Sequence, residues 1–376
     1  MRILIPTADF PPIEGGISTV ALQVSRELAV LGHEVTVVAP FFPGTEDFDA
    51  AEPAEVVRYK GYGTGWLRFG PMLGACRRRL RDADLVLGIN VAYGGVIGRY
   101  GRKRFGTPYL TFAYAYEFLK FRRNPAVARL LRSVYAHSAG VVAISTYTRD
   151  MLARFGVDPG HIRVVHPGAN PAPTPDSEAV RRIKRKYVLD TEHVILSVGR
   201  MIPRKNQPAL VRAMPRVLEQ FPDAVLIAVG QGPTMMETVH EAWRAGVREN
   251  VVLPGRLPDD EVALLYDACE LFALPAVQDA RGQVEGFGLV FAEAHAHGKP
   301  VVAGRSGGVA DAVIDGETGL LVDGSRPEEI AEAILRLMAD PEFARRLGEN
   351  GWKRVEKELN WRQFTARLLE IPANRI

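Results

Sequence analysis

The sequence predicts an α/β fold of two doubly wound, Rossmann-like domains facing each other across a cleft. Short β-branched runs alternate with longer amphipathic ones, that alternation stops once and restarts, and 376 residues exceed what one hydrophobic core usually supports. In the first half, residues 3–6, 35–39, 85–88, 109–112, 141–144 and 163–165 read as buried parallel strands, with helical patterns such as 18–31 and 127–137 between them. Residues 167–176 read PGANPAPTPD, four prolines in ten positions, which neither a helix nor a central strand tolerates. The pattern then restarts with strand candidates at 194–198, 224–229, 251–253, 271–274, 301–303 and 320–322. A helical tail follows from Glu328 to Leu369, broken near Asp340-Pro341 and Asn360. The expected domains are 1–170 and 171–355, with a last helical segment, 356–376, packing back toward the N-terminal domain.

Composition excludes several classes. At 47% hydrophobic and 24% charged the chain is ordinary for a globular protein. No apolar run approaches the roughly 18 residues a membrane span needs. The start, Met1-Arg-Ile-Leu-Ile-Pro, is interrupted too soon for a secretory signal and reads as a first strand. Cys76 and Cys269 are far apart and form no metal-ligand set, so they read as core thiols in a reducing cytosol. Net charge is +3, yet residues 1–170 carry +7 and the remainder −4. Most of the excess lies between Arg58 and Arg132, with 16 basic residues against Asp82, Asp84 and Glu117. Such a field attracts acidic partners. Nucleic acid is not among them, because no binding module accompanies the charge.

Ligands in doubly wound sheets bind beyond the carboxyl ends of the strands, so the loops there carry the candidate chemistry. Gly15-Gly16-Ile-Ser-Thr follows the first strand. It reads either as a tight capped turn or as a place where backbone and a helix N-terminus approach an anion. Gly199-Arg200-Met-Ile-Pro-Arg-Lys205 follows the first strand of the second half. Arg200 and Lys205 suit a diphosphate, Arg204 having the weaker claim; the other reading is solvated loop charge. In Glu285-Gly-Phe-Gly-Leu-Val-Phe-Ala-Glu293 a helix should begin at Gly288 and stop at Gly298. That leaves Glu285 in the loop, able to reach hydroxyls, and Glu293 inside the helix, reaching toward a ribose; the other reading is a Glu285 that only complements the helix dipole and a Glu293 on the surface. The N–H groups of Gly288, Leu289 and Val290 can meet phosphate oxygens.

In this order and spacing the motifs resemble the retaining glycosyltransferase family 4, of the GT-B fold. The resemblance covers nearly the whole chain, through Val229-Gly-Gln-Gly, Gly298-Lys-Pro-Val-Val-Ala, Ser306-Gly-Gly-Val and Asp315-Gly-Glu-Thr-Gly-Leu-Leu-Val. It implies transfer of a hexosyl group from a nucleotide diphosphate sugar to a hydroxyl acceptor, with no cofactor and no metal. Arg200 and Lys205 would stabilise the departing diphosphate, the task a metal performs in other glycosyltransferases. Glu285 would hold sugar hydroxyls and Glu293 the ribose. Gly255, Arg256 and Leu257 would lie along the base, Gly15 and Gly16 near the diphosphate, and Phe287, Gly288, Leu289 and Val290 would complete the donor site. The family's usual His-Gly-x-Glu becomes Tyr114-Ala-Tyr-Glu117, so Tyr114 and Glu117 are the candidates for sugar or acceptor contact.

Within the family the wording is closest to lipid- and polyprenol-linked mannosyltransferases. GDP-mannose is therefore the favoured donor, ahead of UDP-glucose and UDP-N-acetylhexosamines. A lipid-linked or anionic acceptor follows, with a cytoplasmic protein either free or peripheral on the inner membrane face. Arg58–Arg132, with Tyr59, Tyr62, Trp66, Leu67 and Phe69, reads equally as a membrane-facing surface or as a solvated basic face or groove for an anionic soluble acceptor. A sugar-nucleotide epimerase and a non-catalytic nucleotide-sugar-binding scaffold are the alternatives. Asp47-Phe-Asp49 mimics a metal motif of another fold without its context, and Asp259-Asp-Glu261 reads as a helix start.

Overall fold

The first apolar run, Arg2–Pro6 (β1), is buried after its first residue, as befits a strand covered on both faces. The computed structural model describes residues 1–61, 69–114 and 124–371. After β1 come α1 (Gly16–Val30), β2 (Glu34–Pro40), α2 (Glu46–Ala51), β3 (Glu55–Tyr59), α3 (Phe69–Asp82) and β4 (Leu85–Gly88). A π-helical turn, Val91–Gly95, leads into α4 (Val96–Phe105), β5 (Tyr109–Ala113), α5 (Pro125–Ala136), β6 (Gly140–Ala143), α6 (Thr146–Phe155) and β7 (Ile162–Val164). The strands form one parallel sheet in the order β3-β2-β1-β4-β5-β6-β7. Ile3 pairs with Val35 on one side and Leu85 on the other.

The proline-rich stretch carries no regular structure. The second series is α7 (Ser177–Lys186), β8 (Val194–Val198), α8 (Gln207–Leu218), β9 (Val225–Val229), α9 (Met235–Arg244), β10 (Val251–Gly255), α10 (Asp259–Ala268) and β11 (Leu271–Leu274). Then follow α11 (Leu289–Ala296), β12 (Val301–Gly304), α12 (Val309–Ala312), β13 (Gly319–Val322), α13 (Pro327–Ala339), α14 (Pro341–Lys357) and α15 (Trp361–Glu370). Its sheet is also parallel, in the order β10-β9-β8-β11-β12-β13. The chain runs outward from β8 to β10, then returns to β11 and runs outward the other way. The switch point is therefore the gap between the loops after β8 and β11, where such sheets bind ligands.

Two compact units result: Met1–Pro167 with Trp361–Ile376, and Gly168–Asn360. At the change of unit the Asn360 side-chain amide donates to the Val355 and Glu356 carbonyls, in the last turn of α14. In the first unit α15 packs on α1, with Phe364 beside Phe112 at 6.3 Å between ring centroids. Asp340 caps α14 by accepting from the Phe343 N–H, and Pro341 supplies its first residue, which explains the break before it. No helix among the described residues is long and apolar enough to cross a membrane.

Candidate active site

The second sheet brings Lys205 and Glu285 together at its switch point. Lys205 closes a 3-10 turn, Pro203–Lys205, after β8. That turn is stitched to its neighbours: the Val277 N–H donates to the Arg204 carbonyl at 2.8 Å, and Asn206 Nδ2 to the Gly324 carbonyl at 2.7 Å. Lys205 is buried, and its Nζ lies 2.8 Å from Glu285 Oε2. Arg204 Nε is 3.9 Å from the same oxygen. Arg204, the weaker sequence candidate, is thus part of the cluster. Burial alone would push the Glu285 carboxyl up, but Lys205, then Arg204 and Arg200, pull it below the usual carboxylate range. The carboxylate stays ionised in a cationic surround that can turn to a second anion.

The loop bearing Arg200 is held by a backbone fit. Gly199 N–H donates to the Val229 carbonyl and Met201 N–H to the Gln231 carbonyl, at 3.0 and 2.9 Å. Gly230 has φ 138°, and a Cβ there would sit 2.0 Å from the Gly199 carbonyl oxygen. Only glycine permits both the conformation and the approach. Gly230 in turn donates to the Gly255 carbonyl at 2.8 Å, so the ends of β8, β9 and β10 form one surface. Arg200 and Arg256 are exposed on it and Leu257 is half-buried.

Glu285 is fixed from the other side by Ser306-Gly307-Gly308. The Gly308 N–H donates to the Glu285 carbonyl at 2.9 Å, and a Cβ on Gly307 would meet that oxygen at 2.2 Å. Gly288, at φ 91°, starts α11, whose first turn has no side-chain cap. Its N-terminal end is the positive end of a peptide dipole beside half-buried Leu289 and Val290. Phe287 is 1% exposed, so it packs in the core rather than facing the site. Glu293, one turn into α11, accepts from the Tyr266 hydroxyl at 3.1 Å. Burial raises its pKa, against the lowering effect of that bond and of Lys205.

The other candidates lie in the first unit. Gly15, at φ 136°, precedes α1, and no side chain caps that helix; the Thr19 hydroxyl instead donates back to the Gly15 carbonyl. Tyr114 is half-buried immediately after β5. Glu117, Tyr62, Trp66 and Leu67 lie outside the described residues. Arg58 and Tyr59 do not belong to an exposed basic face. The Arg58 side chain is 8% exposed and pairs with Asp49 at 2.6 Å, and Tyr59 is 3% exposed. That pair also occupies Asp49 of the metal-like Asp47-Phe-Asp49 sequence, which forms part of α2. Among the described residues no group of three or more His, Cys, Asp or Glu is placed to hold a metal ion. His295 is buried, donates to the Thr318 carbonyl and has its pKa pushed down to about 4 by burial; His297 pairs with Asp267.

Sequence reasoning missed Tyr266, which reads as an ordinary core aromatic, and Gly307. The order of motifs around Ser306-Gly-Gly was the available signal for the second.

Two family descriptions match the chain: "Glycosyltransferase Family 4" over residues 14–172 and "Glycosyl transferases group 1" over 180–354. The chain is 32% identical to a GDP-mannose-dependent α-(1-6)-phosphatidylinositol monomannoside mannosyltransferase of Mycolicibacterium smegmatis, covering 99% of this chain and 98% of that one. It is also 32% identical to a D-inositol 3-phosphate glycosyltransferase of Corynebacterium glutamicum, over 95% and 91%. Among solved structures, Anabaena HepE in complex with UDP-glucose superposes with a TM-score of 0.82 at 19% identity, over 100% of both chains. That likeness establishes the GT-B fold.

Proposed function

Because the chain belongs to glycosyltransferase family 4, we propose that it moves a mannosyl group from GDP-mannose to a hydroxyl of a lipid-linked inositol-phosphate acceptor. Glycosyl transfer follows from the family; donor, acceptor and residue roles are the proposal. The observation that carries it is the Lys205–Glu285 pair at the switch point of the second sheet, with Arg204 and Arg200 beside it. A departing nucleoside diphosphate develops negative charge on its leaving oxygen, and placed cations that need no reorganisation stabilise that charge best. The three hydrogens of the Lys205 ammonium can serve Glu285 and a phosphate oxygen together, with Arg200 taking the phosphate bidentately. Glu285, kept ionised, accepts from sugar hydroxyls, and Glu293 from the ribose. These residues do the work a divalent metal does elsewhere, so transfer proceeds without one. No carboxylate among the described residues is an evident covalent nucleophile, so if configuration is retained, as the family resemblance implies, attack comes from the leaving group's face.

Two relatives of full-length similarity name acceptors built on inositol phosphate. The excess positive charge of the first 170 residues suits an anionic acceptor of that kind. Radiolabelled transfer from GDP-mannose, UDP-glucose and UDP-N-acetylglucosamine tests the reading. Each donor is offered phosphatidylinositol monomannoside or free inositol phosphate, with and without a chelator. Mannose incorporation into the lipid, indifferent to chelator and reduced at least about 100-fold by Glu285→Ala, is expected. Turnover unchanged in that variant would remove Glu285 from the site. A preference for a UDP-sugar or for the free phosphate would correct the donor or the acceptor.

A further inference from the structure

Tyr266 lies on α10, outside every loop that family motifs single out. It is 2% exposed, and its hydroxyl donates to Glu293 Oε2 at 3.1 Å while lying 3.4 Å from the Val290 carbonyl, one turn earlier on α11. The ring is held on both sides. His297 stacks against it at 5.3 Å and 20°, Phe272 lies 5.7 Å away, and His297 is itself fixed by Asp267 at 2.6 Å. Burial keeps the phenol far above its ordinary pKa, so it is a permanent donor. A rigid aromatic thus holds its hydroxyl against one oxygen of the Glu293 carboxylate, the shorter of its two acceptor contacts.

We propose that Tyr266 is a positioning residue that orients the Glu293 carboxylate to accept both vicinal hydroxyls of the donor's ribose, making the site selective for ribonucleotides. The inference rests on the reading that Glu293 binds the ribose. With Oε2 tied to Tyr266, the carboxylate plane is fixed and Oε1 is free to accept. An ionised carboxylate has lone pairs for three donors at once, whereas a protonated one must donate at one oxygen. Tyr266 therefore acts twice, on the rotamer and on the protonation state. The charged and titratable groups that face Glu293, besides Tyr266, are Lys205 from the turn after β8, Asp259 at the start of α10 and His297 at the end of α11. Removing the tyrosine hydroxyl removes a group that lowers the Glu293 pKa and leaves burial and Asp259 to raise it. Binding that needs the ionised form is then lost at a higher pH as the solution is acidified.

Calorimetric titration of the full chain with GDP, 2′-deoxy-GDP and inorganic pyrophosphate tests this in wild type, Tyr266→Phe and Glu293→Gln. Wild type should prefer GDP over 2′-deoxy-GDP by about tenfold or more, as expected for a hydrogen bond to a charged group. Tyr266→Phe should bring the two within about threefold, bind pyrophosphate as wild type does, and lose GDP at a higher pH. A wild-type ratio and pH profile in Tyr266→Phe, alongside a collapsed ratio in Glu293→Gln, would overturn the role of Tyr266 alone. A wild-type ratio in Glu293→Gln would overturn the ribose reading beneath it. Loss of pyrophosphate binding in Tyr266→Phe would assign the tyrosine to packing and reject the proposal.

Discussion

Lys205 and Glu285 come from loops far apart in sequence and meet as a buried pair, which makes each conditional on the other. With its folded pKa held below the ordinary value, Glu285 contributes stability that is present above that value and is lost as pH falls through the lowered one. Lys205→Met leaves the carboxylate facing Arg204 at 3.9 Å and otherwise desolvated. Breaking such a pair costs at most about 3–5 kcal/mol. The variant's carboxyl then protonates at a higher pH, which relieves the penalty. The gap in melting temperature between wild type and Lys205→Met should be widest near neutrality and narrow on acidification. A gap constant with pH would show that the lysine acts through packing alone.

At the scale of elements, the fit between the turns after β8 and β9 is backbone on backbone. Gly230→Ala would force a Cβ against the Gly199 carbonyl in a conformation L residues avoid. Strain and overpacking together should cost about 2–4 kcal/mol and, by displacing Arg200, weaken GDP binding. Thermal unfolding and a nucleotide titration check both, and an unchanged titration would mean Arg200 is positioned independently of this fit. Most of the sheet order's raw material was legible, because central parallel strands such as Leu85–Gly88 and Leu271–Leu274 are continuous apolar runs. The edge strand Glu55–Tyr59 was not. It is half-covered, and its mixed Glu-Val-Val-Arg-Tyr text has no clean period. Phe69–Asp82 was hidden by its opening Phe-Gly-Pro-Met-Leu-Gly, which reads as loop until its tertiary contacts bury Met72, Cys76 and Leu80. The loops of the candidate site could be located from motifs. That Arg204 joins Lys205 at Glu285, that Phe287 turns inward and that Tyr266 reaches Glu293 are facts of side-chain direction, which a one-dimensional pattern does not encode.

For the whole molecule, the charge asymmetry has a structural correlate in the first unit. Arg77, Arg78 and Arg81 on α3 and Arg102, Lys103 and Arg104 at the end of α4 are exposed, and the two helices pack together. Arg79 is spent on Glu55 at 2.7 Å. Each basic side chain near an anionic bilayer contributes about 1 kcal/mol, so reversing three removes a large share of any such attraction. The variant R77E/R78E/R81E should lose sedimentation with phosphatidylinositol-containing vesicles at low salt while binding GDP as wild type does. Equal sedimentation would assign these arginines to a solvated face.

The last helix has a temporal consequence. Trp361, Phe364 and Leu368 are buried in the first unit, yet they are translated only after the whole of the second unit. At elongation rates of about 5–20 residues per second, the half made first waits about 10–40 s for its closing piece. Throughout that interval Phe112 and the apolar side of α1 lack the covering that α15 provides. The second unit, continuous in sequence, meets no such delay. On the ribosome the second unit can therefore be complete before the one that precedes it, and α15 acts as the latch on the earliest elements.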